Sequence, residues 1–180
     1  MKTVIIIAGL AGSGKSTLAK QIARTFALRY VSGGYLFEKV KEDPAWWETH
    51  GAEYNKNREK DPSADLAVDE MIKREAEKGD VVIDSKTAPW LIKEGFKIWL
   101  DADLDTRAKR VSQRSNISVD EAKTRIRNRD EFDRQLYLKL YGFDIFKDKT
   151  PFNFVISTDF LTAEEVFLLV SSALRSANYV

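Results

Sequence analysis

Val4 to Thr17 reads VIIIAGLAGSGKST, and the order of its parts decides the fold. Val4 to Ala8 is an unbroken apolar run rich in β-branched residues, the composition of a strand buried on both faces of a parallel sheet. It is far too short for a membrane-spanning helix and is read as a core strand. A glycine-rich turn follows at once. Beyond it, Leu18, Ile22 and Phe26 recur at helical spacing within Ser16 to Phe26, so strand, turn and helix open a βαβ unit.

Working outward, the strand signal returns at Val81 to Asp84 (VVID), Lys97 to Asp101 (KIWLD) and Phe154 to Ser157 (FVIS), separated by helical stretches. Helix starts are marked chemically. Asp43-Pro44 and Asp61-Pro62 each set a capping carboxylate before a proline at the first helical position. Ser118 with Glu121, and Thr162 with Glu165, have the spacing of capping boxes, and Gly142 is placed to end the long helix that Ser118 begins. Alternating strands and helices predict an α/β sandwich with a mainly parallel sheet. A chain of 180 residues with 43% hydrophobic content is enough for one compact domain.

The turn itself satisfies G-x-x-x-x-G-K-[ST] through Gly9, Gly14, Lys15 and Ser16. Glycines at 9, 12 and 14 allow backbone conformations closed to other residues, so successive N–H groups can point at phosphate oxygens. The polyphosphate-binding set is Gly9, Ala11, Gly12, Ser13, Gly14, Lys15, Ser16 and Thr17. Lys15 supplies a cation for the β and γ phosphates, the Ser16 hydroxyl is placed to ligate magnesium, and Thr17 supports the α phosphate. Asp84 ends the VVID strand at the edge where such sheets bind ligands, and is expected to hold the same magnesium ion through water. Asp101 ends the next strand in the same way. The expected cofactors are ATP and Mg2+, and the expected partner is a small phosphoryl acceptor.

Composition excludes several other classes. Lysine plus arginine (29) nearly cancels aspartate plus glutamate (28), which removes the broad electrostatic footprint of a nucleic-acid or membrane-surface binder. With no cysteine there is no disulfide, thiolate nucleophile or cysteine-bound zinc, and a reducing, cytoplasmic setting is expected, with the protein a monomer or weak homo-oligomer. A guanine-specifying Asn-Lys-x-Asp element is absent, because Asn55-Lys56 is followed by Asn57-Arg58.

Seven of twelve arginines fall between Arg107 and Arg134. Arg107, Arg110 and Arg114 share one helical face, and Arg125 and Arg129 share another beyond Ser115-Asn116. A hairpin of two such helices is suited to close over a nucleotide and present guanidinium forks to a migrating phosphoryl group. Trp46, Trp47, His50 and Tyr54 form an aromatic segment able to pack a core or to stack on a base.

At the level of whole blocks the chain resembles the archaeal-type cytidylate kinases, within the nucleoside monophosphate kinase family. The blocks are GLAGSGKST, SGGYLF at 32–37, VVIDSK at 81–86, KIWLDA at 97–102, RAKRVSQR at 107–114 and YGFD at 141–144. The resemblance implies a three-layer α/β/α phosphate-loop fold with a five-stranded parallel core. It also implies a helical acceptor-binding insert over roughly 34–78, a short arginine-rich lid within 107–134, and Mg-ATP as donor. It puts the acceptor at Ser32, Lys86, Asp101, Arg129 and Asp133, and makes Arg110 and Arg114 the lid arginines that act in catalysis with Lys15 and Asp84. CMP or dCMP is the acceptor it favours. Glu38, Lys86 and Leu136 stand where such kinases usually carry arginine. A lysine keeps the charge without the fork, and a leucine keeps neither. The acceptor phosphate is therefore expected to fall to Arg134 and its neighbours, or else the cavity serves another small metabolite. A non-catalytic ATP-binding regulator is the third reading.

Overall fold

The computed structural model describes residues 2–36 and 58–180. Five strands, β1 (Val4–Gly9), β2 (Arg29–Ser32), β3 (Val81–Asp84), β4 (Phe96–Asp101) and β5 (Phe154–Ser157), form one sheet in the order β2-β3-β1-β4-β5, with every neighbouring pair parallel. The central strand β1 is buried at all six positions, as its unbroken apolar run requires.

Successive residues of β1 face opposite layers. Ile5 and Ile7 pack with Leu18, Ile22, Val170 and Leu174 of helices α1 (Lys15–Thr25) and α6 (Ala163–Ser176). Val4 and Ile6 pack on the other side with Val68 and Ile72 of α2 (Ser63–Lys78) and Ala88 of α3 (Ala88–Leu91). Two further helices lie between β4 and β5. Helix α4 (Leu104–Ser115) and the long α5 (Val119–Tyr141) form a hairpin with its own apolar seam of Ala108, Val111, Ala122 and Ile126. Among the described residues no helix is long and apolar enough to cross a membrane.

The predicted caps at the described residues form with two differences: Ser118 makes one arm of its box, the Glu121 carboxylate pairing with Arg125 at 2.7 Å, and the helix after Asp61 starts late. Thr162 and Glu165 close both arms of a capping box, Ser118 accepts from the Glu121 N–H, and Gly142 ends α5 in the left-handed conformation at φ 78°. At Asp61-Pro62 the helix starts one residue later than predicted: Pro62 occupies the cap and the Asp61 carboxylate accepts from the Ser63 N–H at 3.0 Å. Asp43-Pro44 lies outside the described residues.

Two larger differences concern the predicted insert and β2. Helix α2 falls within 34–78 yet is a layer of the core, its Ile72 fully buried against Ile6 and Ile83. Strand β2 carried no apolar run because it is an edge strand, paired only with β3 and leaving Arg29 in solvent. It places Ser32 level with Asp84.

Candidate active site

From β1 the chain runs out to β2 and back to β3 on one side, then crosses over β1 to β4 and β5 on the other, so a crevice opens at the carboxyl edge of the sheet above β1. The phosphate loop fills this point. Gly12 has φ 84°, and a β-carbon there would lie 2.8 Å from the Arg107 carbonyl oxygen, so both conformation and space require glycine. Arg107 is thereby accounted for. Its guanidinium donates to the Ala11 carbonyl at 3.3 Å and to Asp130 at 2.6 Å, and the residue is buried. It supports the loop from beneath and does not face a ligand, contrary to the shared arginine face expected from spacing.

Two cavities meet at the loop. The first, about 280 Å³, runs from Gly14, Lys15 and Ser16 past Ser32, Asp84 and Lys86 to Arg58, Asp65, Asp69, Arg129 and Tyr137. The second, about 440 Å³, lies between Leu18, Leu100, Val111, Leu161 and Val166, with Thr158 and Thr162 also in its lining. Gly12, Gly14, Thr17 and Arg114 line both. An apolar slot with a few polar groups suits a planar ring system, and a polar cavity beside it suits phosphates.

Lys15 donates to the Leu10 carbonyl at 3.1 Å. Burial lowers its pKa to about 8; Asp84 opposes that shift, and Lys86 and Arg129 add to it. Polyphosphate beside it raises the pKa again, so above pH 8 ATP binding takes up a proton and weakens as pH rises. Calorimetry at pH 8.5 in buffers of different ionisation enthalpy is expected to show roughly half to one proton taken up per site. In Lys15→Arg, whose side chain keeps its proton, the uptake vanishes.

Asp84 is buried and accepts from the Ser16 hydroxyl at 2.5 Å and from the Tyr30 hydroxyl at 3.2 Å, both on one carboxylate oxygen. Burial, with Asp84 next, pushes Tyr30 up to about 12, so the phenol keeps its proton and orients the carboxylate. The hydroxyl and carboxylate oxygens of Ser16 and Asp84 are a donor set fitted to a hard divalent cation whose remaining positions go to water and phosphate oxygens. Among the described residues there is no group of three or more His, Cys, Asp or Glu side chains that could hold a metal by themselves.

Along the first cavity the charges are linked. Asp133 is fully buried and is met by Lys86 at 2.5 Å, Arg58 at 2.8 Å and Arg129 at 3.7 Å. Burial alone would raise its pKa; Lys86, Arg58 and Arg129 outweigh that and hold it well below the usual carboxylate range. Burial lowers the pKa of Lys86, with Asp133 opposing. Ser32, Lys86 and Arg129 border the first cavity, and Asp133 stands against Lys86 and Arg129. Ser32 borders the cavity with Gly33 and Gly34.

Other expectations are corrected. Asp101 sits on β4, across β1 from β2 and β3, so its carboxylate lies away from the first cavity, exposed beside Trp99. Arg134 is held by Asp144 at 2.8 Å and stands over Phe146, outside both cavities. Leu136 is buried among Trp99, Tyr137 and Ile145. Arg110 donates to the Thr158 hydroxyl at 2.9 Å and carbonyl at 2.7 Å, which fixes it in the wall of the second cavity, while Arg114 stands where the two cavities join. Glu38, Trp46, Trp47, His50 and Tyr54 lie outside the described residues.

Sequence reasoning missed Tyr30, Arg58, Asp65, Asp69 and Thr158. Arg58 is the most consequential, since it adds a guanidinium to the wall of the first cavity. It donates to Asp65 (3.1 and 2.5 Å), to Asp133 and to the Tyr137 hydroxyl (3.2 Å). Its partners lie 7, 75 and 79 positions away, and only the neighbouring Asp65 is within reach of a local pattern.

A phosphate loop opening a helix at the switch point of a five-stranded parallel sheet defines a P-loop phosphate-binding protein. Solved P-loop kinases share the fold: shikimate kinase from Acinetobacter baumannii at TM-score 0.64, with 14% identity over 98% of this chain and 95% of that one, and deoxyadenosine kinase from M.mycoides at TM-score 0.64, with 17% identity over 96% and 100%. Within that class the chain belongs to the cytidylate kinase-like family, whose model matches residues 4–159. The protein named cytidylate kinase from Pyrococcus horikoshii is 38% identical over 174 residues, 96% of this chain and 88% of that one.

Proposed function

We propose that the protein is an ATP-dependent nucleoside monophosphate kinase that converts CMP, and dCMP with it, to the diphosphate with release of ADP. One observation carries this reading: two cavities of different chemistry, one apolar and one cationic, meet at the phosphate loop and share Gly12, Gly14, Thr17 and Arg114. The resemblance to cytidylate kinases across nearly the whole chain supports CMP as the acceptor.

In this reading the second cavity receives the adenine, against Leu18, Leu100 and Val166, with Arg110 and Thr158 beside it. The loop N–H groups and Lys15 hold the β and γ phosphates, and Thr17 the α phosphate. Ser16 and Asp84 would hold magnesium, which when bound neutralises charge on the phosphate oxygens. In the first cavity Lys86 and Arg129 orient the acceptor phosphate, so that one of its oxygens forms a bond to the γ phosphorus as the bond to the β–γ bridging oxygen breaks. Arg114, at the junction, is the lid arginine placed to stabilise charge on the migrating group. The apolar seam of the α4–α5 hairpin, with Arg107 tied to the loop and Arg110 to Thr158, holds Arg114 at the junction.

A kinase for a different metabolite would need a cavity poor in cations near Ser32. Lys15, Lys86 and Arg129 all line this one, which favours a phosphorylated acceptor. An ADP-release assay over the common nucleoside monophosphates tests the reading. CMP or dCMP is expected to stimulate turnover at least about tenfold above ATP hydrolysis alone. No stimulation by any monophosphate contradicts it.

The two lid arginines should separate kinetically. Arg110→Ala is expected to raise the KM for ATP about tenfold with little change in kcat, because it removes a wall of the adenine cavity. Arg114→Ala is expected to lower kcat about 10²-fold with a smaller change in ATP binding. Steady-state kinetics with saturating CMP check both.

A further inference from the structure

The end of the acceptor cavity remote from Lys15 is walled by groups to which phosphoryl transfer assigns no task. Asp65, Val68 and Asp69 share one face of α2, at helical spacing, and Arg58 and Tyr137 line the same end. Neighbouring charges order the cavity. Lys15 feels Lys86 and Arg129, Asp133 meets Lys86 and Arg58, and Arg58 meets Asp65. An acceptor whose phosphate lies beside Lys15, Lys86 and Arg129 therefore extends its other end toward Asp65.

Among the described residues three carboxylates belong to this region, Asp65 and Asp69 in the wall and Asp133 behind it against Arg58, and they are not equivalent. Asp133 is neutralised by three cations. Asp69 accepts from the Thr87 hydroxyl on one oxygen and from the Tyr141 hydroxyl on the other, and burial pushes its pKa up. Asp65 is gripped by a single planar fork, Nε to one oxygen and Nη2 to the other. A fork uses one acceptor direction on each oxygen, and an ionised carboxylate has about four. The grip therefore fixes the carboxylate plane and keeps acceptor capacity for a ligand, and Val68 beside it offers an apolar surface to a ring.

We propose that Asp65, oriented by Arg58, determines acceptor specificity by accepting a hydrogen bond from the exocyclic amino group of the acceptor base. This rests on the nucleoside monophosphate kinase reading. Cytosine presents an amino donor at that edge. Uracil presents a carbonyl there, which sets lone pairs against a buried carboxylate. Arg58 acts through Asp65 and is a positioning residue.

The test measures kcat/KM for CMP, UMP and 2-pyrimidinone ribonucleoside 5′-monophosphate, which is CMP without the amino group, in the wild type, Asp65→Asn and Arg58→Lys. The wild type is expected to prefer CMP to both others by about 100-fold or more. In Asp65→Asn the loss falls on KM for CMP, the KM for ATP stays within about twofold, and the preference for CMP shrinks to about tenfold or less. Arg58→Lys is expected to move in the same direction, less far. An Asp65→Asn variant that keeps the wild-type ratio of CMP to UMP overturns the proposal, even if all its rates are lower. So does a wild type that uses the amino-free analogue as well as CMP. Should Asp65→Asn fail to fold, Asp65→Glu, which keeps the charge and displaces the carboxylate, decides in its place: an unchanged ratio overturns the proposal, and a compressed one supports it. A wild type that phosphorylates no monophosphate overturns the kinase reading instead, which is a distinguishable result.

Discussion

Lys15→Ala is expected to lower kcat by about 10³-fold or more while leaving the fold intact. The ammonium is the cation that the loop itself contributes to the β and γ phosphates, and among the described residues its one hydrogen bond is to the Leu10 carbonyl. Loss of that contact costs little. Linkage makes it cost less still: burial holds the folded pKa near 8, below the ordinary lysine value, so below pH 8 the folded state carries the charge at a cost the unfolded state does not bear. That penalty is relieved as pH rises from 8 toward 10. The alanine variant is therefore expected to melt no lower than the wild type at pH 7. A variant that unfolds would show that Lys15 holds the loop together, and one that keeps turnover would remove it from the chemistry.

The second large effect is expected at Asp133. Asp133→Ala removes the shared anion of Lys86, Arg58 and Arg129 and leaves buried positive charge without it, a change that costs about 3 to 5 kcal/mol. The lower end is expected, because Lys86 can shed its proton and Arg58 retains Asp65. Acceptor affinity falls with stability, since the same contacts orient Lys86 and Arg129. The pH dependence has a definite sign. Asp133 is held low when folded, so its contribution is complete above the ordinary aspartate pKa of about 3.9 and is lost as pH falls below it. Denaturant unfolding of wild type and Asp133→Asn between pH 3 and 7 checks this. The wild type should lose more stability than the variant over the acid end, and parallel curves would contradict the assignment.

What the sequence revealed follows the range of the interactions involved. Strand β1, the phosphate loop and α1 are legible together because their contacts are local and their residue types narrow. Asp84 is legible because a strand end at the ligand-binding edge of a parallel sheet is a defined place. Ser118, Gly142 and Thr162 are legible because caps act within one turn. Strand β2 was not, since an edge strand with Arg29 in solvent has no apolar run to show. The arginine cluster illustrates the limit best. Spacing put Arg107, Arg110 and Arg114 on one face, yet tertiary contacts divide them: Arg107 goes beneath the loop to Asp130, Arg110 to Thr158, and Arg114 to the junction of the cavities. Arg58 was hidden for the converse reason. It lies far along the chain from Asp133 and Tyr137, and only folding assembles the buried group that makes it part of the site.

On the proposed function this cavity pair transfers the terminal phosphoryl group of ATP to a nucleoside monophosphate. Incubation with ATP labelled at the γ phosphate, magnesium and CMP, followed by separation of the nucleotides, tests it most directly. The label is expected on CDP, with Lys15→Ala giving none. Label recovered solely as inorganic phosphate or as unreacted ATP, with no monophosphate accepting it, would contradict the account.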